Sequence, residues 1–184
     1  MMRIIAGTRR GKRLATLPGE DTRPTLERLK MALFSAIQFE LADRYVLDLF
    51  AGSGQLGLEA LSRGASRCWF NDANPKALAV VQRNVRDCGF ENSVKETCID
   101  YKMCVKMIER EKERPSLVFL DPPYRKGYCA DAIALLAPLL PDGALVAAET
   151  GADEEVPLCG LTLRKTYQQG TVKITLLEKG GSAQ

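Results

Sequence analysis

The stretch Tyr45-Val-Leu-Asp-Leu-Phe-Ala-Gly-Ser-Gly-Gln-Leu-Gly57 decides the fold. Residues 45–49 are apolar except for Asp48 and read as a strand. From Gln55 the spacing turns helical, runs to Arg63 and is closed by Gly64. Between strand and helix, Gly52 and Gly54 let the backbone turn sharply and approach a ligand. Gly57 lets the helix lie close against the strand. A strand that passes through a glycine loop into a helix begins a nucleotide-binding parallel sheet.

Working outward, the alternation repeats. Residues 67–70 predict a second strand, and Pro75–Cys88 a helix with proline in its first turn and Gly89 beyond its end. A third strand is expected at 94–99, a helix at 103–112, and a fully apolar fourth strand at Leu117–Leu120. A helix at 130–139 and a fifth strand at 144–149 follow. Residues 161–167 and 172–178 alternate around Gln169-Gly170 and predict a closing antiparallel hairpin. The whole reads as α/β, a Rossmann-like, mostly parallel, doubly wound sheet. Upstream, residues 4–7 and 12–15 flank a Gly- and Arg-bearing turn and predict a short basic hairpin. Pro18-Gly19 and Arg23-Pro24 mark a loop. Leu26, Leu29, Leu33, Phe34, Ile37 and Leu41 then fall at helical spacing behind Thr25, a natural N-cap. One domain is expected from 184 residues, with the hairpin and helix in 1–42 and the sheet in 43–184.

Composition narrows the chemistry. Hydrophobic residues at 46% and charged residues at 27% argue against general disorder. The chain has no histidine, which excludes a Ser-His-Asp triad, a Cys-His dyad and a histidine base; no metal centre is expected. The six cysteines form no CxxC pair and suit apolar packing in a reducing compartment. No apolar run is long enough to span a membrane and no secretory signal is visible, so a soluble cytoplasmic domain, acting as a monomer, is expected. Charge is uneven: residues 1–30 carry a net +5 within an overall +3. Arg3, Arg9, Arg10, Lys12, Arg13 and Arg23 therefore form either a phosphate-contacting arm or a solvated surface.

Two constellations sit at strand ends. In the first, Asp48, Gly52, Ser53 and Gly54 are joined by Asp72 after the second strand and Asp100 after the third. A lone glycine loop is often only a turn, but three acids at successive strand ends point to a ligand. Asp72 suits a ribose, and Asp48 suits a cationic group better than a diphosphate, which favours S-adenosylmethionine over NAD. The neighbours Phe50, Ala51, Asn74 and Tyr101 complete the candidate cofactor residues. In the second, Asp121-Pro-Pro-Tyr124 follows the apolar fourth strand. The prolines fix the backbone, so Asp121 and the Pro122 carbonyl present two acceptors to one –NH2 group, and Tyr124 offers a stacking face. Only the ring of Tyr124 is required by this reading. Holding both N–H groups orients an exocyclic amine toward a methyl donor without a strong base. Arg125 and Lys126 beside this turn are further candidate phosphate contacts.

These motifs resemble a known family. Residues 48–57 look like the S-adenosylmethionine motif of class I methyltransferases, and Asp121–Tyr124 like the motif of amino-methyltransferases that act on bases. With Arg3-Ile-Ile-Ala-Gly7, Arg23-Pro-Thr25, Leu33-Phe34 and the run to Gly64-Ala65, the chain resembles the bacterial 16S rRNA guanine-N2 methyltransferases of the RsmD type. The resemblance implies that Asp48, Gly52, Ser53 and Gly54 cradle S-adenosylmethionine, Asp72 holds its ribose and Asp100 contacts its adenine. It implies that Asp121 and Pro122 hold the guanine amine while Tyr124 stacks. It also implies 16S rRNA, within the small subunit or an assembly intermediate, as partner. The chain departs from the family where Asp72, preceded by Asn71, replaces a glutamate, and where Gln55 replaces a small residue. An adenine-N6 methyltransferase shares both motifs but needs a region that holds a flipped base, for which there is little room. A non-catalytic RNA-binding module leaves Asp121–Tyr124 unused, and an NAD oxidoreductase leaves Asp48 and the prolines unexplained.

Overall fold

The computed structural model describes residues 2–17 and 24–180. Among these, the strands are β1 (Tyr45–Asp48), β2 (Arg67–Asn71), β3 (Val94–Thr97), β4 (Leu117–Leu120), β5 (Leu145–Gly151), β6 (Leu161–Gln169) and β7 (Val172–Lys179). The helices are α1 (Pro24–Ala36), α2 (Gln55–Ser62), α3 (Pro75–Cys88), α4 (Tyr101–Arg110) and α5 (Tyr128–Leu136). The strands form one seven-stranded sheet in the order β3-β2-β1-β4-β5-β7-β6. β1 to β5 pair in parallel, and β7 enters antiparallel between β5 and β6.

Burial explains this order. β1 and β4 are buried along their whole length, as central parallel strands covered on both faces must be. One face packs against α1, α2 and α3 through residues such as Phe34, Leu58, Phe70, Val81 and Phe119. The other packs against α4 and α5 through Leu47, Trp69, Ile108, Val118 and Ile133. β6, on the edge, is mostly exposed and carries an irregularity between Leu163 and Lys165; edge charge and irregular pairing discourage further strand addition. Cys68, Cys88, Cys104 and Cys129 are buried as packing residues, while Cys98 and Cys159 are exposed.

The element boundaries differ from the sequence expectation in a few places, each for a local reason. α1 begins at Pro24 and not behind a Thr25 cap: proline's fixed φ suits a first helical turn. It stops at Ala36, and a 3-10 turn, Gln38–Glu40, carries the chain to the buried Leu41. α4 begins at Tyr101 because the Asp100 side chain accepts from the Lys102 N–H at 2.8 Å and so caps the helix. The expected basic hairpin is a two-stranded turn held by an Arg3–Arg13 bridge and by Ile4 N–H to the Lys12 carbonyl at 2.9 Å. Its attachment rests on a buried acid. Glu59 of α2 accepts from the Ile5 and Ala6 N–H groups at 2.7 and 3.1 Å.

Candidate active site

The C-terminal ends of β1, β2, β4 and β5 open onto one cleft of about 640 Å³. Lining it are Asp48, Phe50, Ala51, Gly52, Ser53, Asp72, Asn74, Asp100, Tyr101, Asp121, Pro122 and Tyr124, so nearly every residue singled out in the two motifs meets here. Gly54 does not line it. With φ 78° it turns the loop into α2, and a Cβ there would meet Phe70 and Val81 at 3.4 Å on the core side. It shapes the loop from behind the residues that border the cleft.

The acids hold the loops as well as facing the cleft. Asp48 is 1% exposed, and its carboxylate accepts from the Gly57 N–H at 3.0 Å, pinning the start of α2 to the end of β1. Burial pushes its carboxyl up to about 7, against the pull of the Gly57 hydrogen bond. Asp72 accepts from the Gly52 N–H at 2.9 Å and the Asn74 N–H at 2.8 Å, which ties the glycine loop to the end of β2. Asn71 is committed elsewhere: its Nδ2 donates to the Leu49 and Ile99 carbonyls at 3.2 and 3.1 Å, and its Oδ1 accepts from Thr97. Both residues of this adjacent pair border the cleft, but the Asn71 amide is already engaged and Asp72 supplies the carboxylate. Ser53 turns its hydroxyl toward the Met2 sulfur at 3.1 Å. Asn74 caps α3 by accepting from the Lys76 N–H at 3.0 Å.

Three rings form one wall. Phe50 lies 5.3 Å from Tyr101 and 6.2 Å, nearly parallel, from Tyr128, and the two tyrosines are 5.6 Å apart. Tyr128 was not apparent from the sequence, because the first turn of α5 is two residues longer than its apolar spacing suggests. The charged lining is lopsided. Among the described residues it holds Glu27, Asp48, Asp72, Asp100, Asp121 and Glu149, with Lys30 as the one basic side chain. Such a lining suits a ligand bearing ammonium and sulfonium groups and repels a diphosphate. With acceptors at Asp72 and Asp100 and the aromatic wall beside them, the residues present fit S-adenosylmethionine.

Beyond β4, Asp121 meets two residues that the motif did not reveal. Lys30 of α1 places its Nζ 3.2 Å from Asp121 Oδ2 and 3.9 Å from Glu149 Oε2. Tyr124 donates its hydroxyl to Glu149 Oε1 at 2.5 Å, so the ring is tethered and not merely a face. Burial, then the Asp121 charge, raise the Glu149 carboxyl above the usual range, while Lys30 opposes them. Burial alone would lower the Lys30 ammonium, but Asp121, Glu149 and Asp48 outweigh it and hold it above its ordinary value.

The basic residues divide. Arg3 and Arg10 line a smaller cavity of about 250 Å³, which shares Glu27 and Gln55 with the main cleft. Arg9 turns away: its Nε donates to the Cys88 carbonyl at 2.5 Å, and its guanidinium lies 5.2 Å from the Phe90 ring centroid. It clamps the hairpin to the C-terminal end of α3. Lys12 and Arg13 are exposed, as is Lys126; Arg125 pairs with Asp153 at 3.3 Å. Arg23 lies outside the described residues.

The family model described as Conserved hypothetical protein 95 matches residues 2–178. A relative from Haemophilus influenzae, "Ribosomal RNA small subunit methyltransferase D", is 34% identical over 188 residues, covering 96% of this chain and 93% of its own. A protein of the same name from Escherichia coli K12 is 31% identical over 158 residues, covering 85% of this chain and 78% of its own. The solved structure of a hypothetical protein from Thermus thermophilus matches with a TM-score of 0.81 at 26% identity, over 97% of this chain and 99% of that one.

Proposed function

The chain belongs to the Conserved hypothetical protein 95 family, and from that premise we propose that it is an S-adenosylmethionine-dependent rRNA methyltransferase, acting on the exocyclic N2 amine of a guanine in 16S rRNA. The observation that carries the reading is the shared cleft: the Asp121–Tyr124 turn and the glycine loop of β1 open onto the same space. The names of the Haemophilus and Escherichia relatives support rRNA of the small subunit as substrate. An rRNA substrate supports action in the cytoplasm. Both motifs sit on one continuous seven-stranded sheet, which supports a single domain.

When bound, S-adenosylmethionine supplies an electrophilic methyl group on a sulfonium. Gly52 and Ser53 would border it, Asp72 would accept from the ribose hydroxyls, and Asp100 with the Phe50–Tyr101–Tyr128 wall would flank the adenine. The protein's remaining work is to present a nucleophile. The Asp121 carboxylate and the Pro122 carbonyl accept the two amine N–H groups, which aims the nitrogen lone pair at the cofactor side of the cleft. Tyr124 stacks on the base and replaces part of the stacking lost on flipping. Orientation of the two reactants supplies the main catalytic effect. Nucleoside mass spectrometry tests the reading: purified small subunits or 16S rRNA incubated with protein and labelled S-adenosylmethionine should gain N2-methylguanosine. Gain of N6-methyladenosine instead, or no label, overturns it.

A further inference from the structure

Two strand ends force a pair of acids together. β4 and β5 run parallel with Phe119 opposite Ala147 and Leu120 opposite Ala148, so the next positions bring Asp121 toward Glu149. Glu149 is nearly buried, at 4% side-chain exposure, and its Oε2 has no hydrogen-bond partner. Two carboxylates in such a place repel unless a cation lies between them. The cation comes from a distant element by a definite route. Phe34 of α1 packs on Phe119 of β4 with ring centroids 5.6 Å apart. Lys30 lies one turn before Phe34 on the same helix face, and Asp121 lies two residues after Phe119 on the same strand face. Docking one aromatic on the other therefore delivers the Lys30 ammonium to Asp121. That side chain is only 12% exposed, and it also approaches Gln55 Oε1 at 3.5 Å.

We propose that Lys30 is a positioning residue for the methyl transfer: its ammonium spans Asp121 and Glu149, fixing the Asp121 carboxylate toward the substrate amine and, through Glu149, the Tyr124 ring. The proposal rests on the function proposed above and deepens it. Asp121, 27% exposed at its side chain, keeps an edge toward the cleft while Oδ2 is engaged by Lys30. Among the described residues, the groups near the pair include Lys30 and Glu27 from α1, Asp48 from β1, Gln55 from α2, Tyr124 from the turn after β4, and the Cys129 thiol from α5, which approaches the Glu149 carbonyl at 3.4 Å. Lys30 is the one positive charge among them. Without it the two acids share a proton, and a protonated carboxyl at this position donates where the amine needs an acceptor.

The test compares wild type with Lys30→Met, Glu149→Gln and the double variant. Carboxyl carbon NMR of the free protein follows the titration of the acid pair; kcat and KM are followed against pH with small-subunit RNA. Lys30→Met should move the pair's titration, and the acid limb of kcat, upward by about 1–3 pH units. At neutral pH kcat should fall about 10²-fold with KM for S-adenosylmethionine unchanged. Adding Glu149→Gln removes the like charge and should return the acid limb toward wild type. A lower kcat with an unmoved pH profile and no rescue would overturn the proposal, leaving Lys30 a structural residue. Should Lys30→Met not fold, Glu149→Gln alone decides: removing the like charge while Lys30 stays should move the acid limb of kcat downward, and an unmoved limb overturns the pairing. A wild-type protein that fails to methylate rRNA would sink the proposed function while the NMR titration still judges the clamp.

Discussion

Asp121 and Tyr124 make different demands on the reaction and can be separated by substitution. Asp121→Ala removes one preorganised acceptor and should lower kcat by about 10²–10³ while cofactor affinity stays near wild type. Single-turnover rates on rRNA and cofactor titration check the two halves. Tyr124→Ala should weaken base capture by about 1–3 kcal/mol, the worth of a stacking platform. Tyr124→Phe keeps the ring but loses the bond to Glu149, so it should lie between wild type and Tyr124→Ala; equivalence to wild type would mean the tether is idle. Asp48 tests a different cost. Its carboxyl is raised from the usual 3.8 to about 7 in the folded state, so the folded protein binds the proton more tightly than the unfolded chain. That contribution is fully present below pH 3.8 and is lost as pH rises to about 7, a loss of at most about 4 kcal/mol. Asp48→Asn retains an acceptor for the Gly57 N–H without the charge. It should therefore be more stable than the parent at pH 8, with the gain vanishing near pH 4. Denaturant titration at the two pH values measures this, and an equal gain at both would assign the effect to something other than ionisation.

At the scale of elements, α2 lies close against β2 directly behind the glycine loop. A Cβ on Gly57 would lie 2.3 Å from Phe70 Cε1 and 2.6 Å from Cys68 Sγ, both fully buried. Gly57→Ala should cost about 1–3 kcal/mol by overpacking, read from the midpoint of chemical denaturation. A neutral effect would mean that α2 can slide outward. This glycine was legible in the sequence because strand, loop and helix are contiguous, and so were the central strands, whose apolar runs are bounded by glycine and proline. Lys30 and Glu149 were not. Lys30 looked like one more charge in a basic segment, and Glu149 like the polar end of an apolar strand. Their meeting depends on α1 docking across the sheet and on the β4–β5 register, which no local pattern encodes. The insertion of β7 beside β5 is hidden for the same reason: the hairpin can be read locally, but which of its strands joins the sheet cannot.

Across the whole molecule, charge separates into an acidic cleft and a basic N-terminal hairpin at its margin. The cleft's acids suit a cationic cofactor, yet they oppose a polyanion, so a large RNA must be held outside them. A flipped base costs a few kcal/mol that one stacking ring at best roughly offsets. On the proposed function Arg3 and Arg10 would take that task, since their cavity shares Glu27 and Gln55 with the cleft and a nucleotide beside the flipped one would meet it. Arg9 is occupied by the carbonyl end of α3, where its charge also complements the helix dipole. The basic residues of the hairpin should therefore not act as one. Arg3→Ala with Arg10→Ala should flatten the log–log dependence of RNA affinity on salt by about 0.7–0.9 per lost phosphate contact, with stability and S-adenosylmethionine affinity unchanged. Arg9→Ala should instead lower stability by on the order of 1 kcal/mol through the lost cap and ring contact. Its effect on the salt slope should be small. Binding isotherms across a salt series, run beside denaturant titrations of the same variants, separate the two effects. An unchanged slope for the Arg3/Arg10 variant would return those side chains to the solvated surface and shift the RNA contact toward Arg125 and Lys126, on the rim of the catalytic turn.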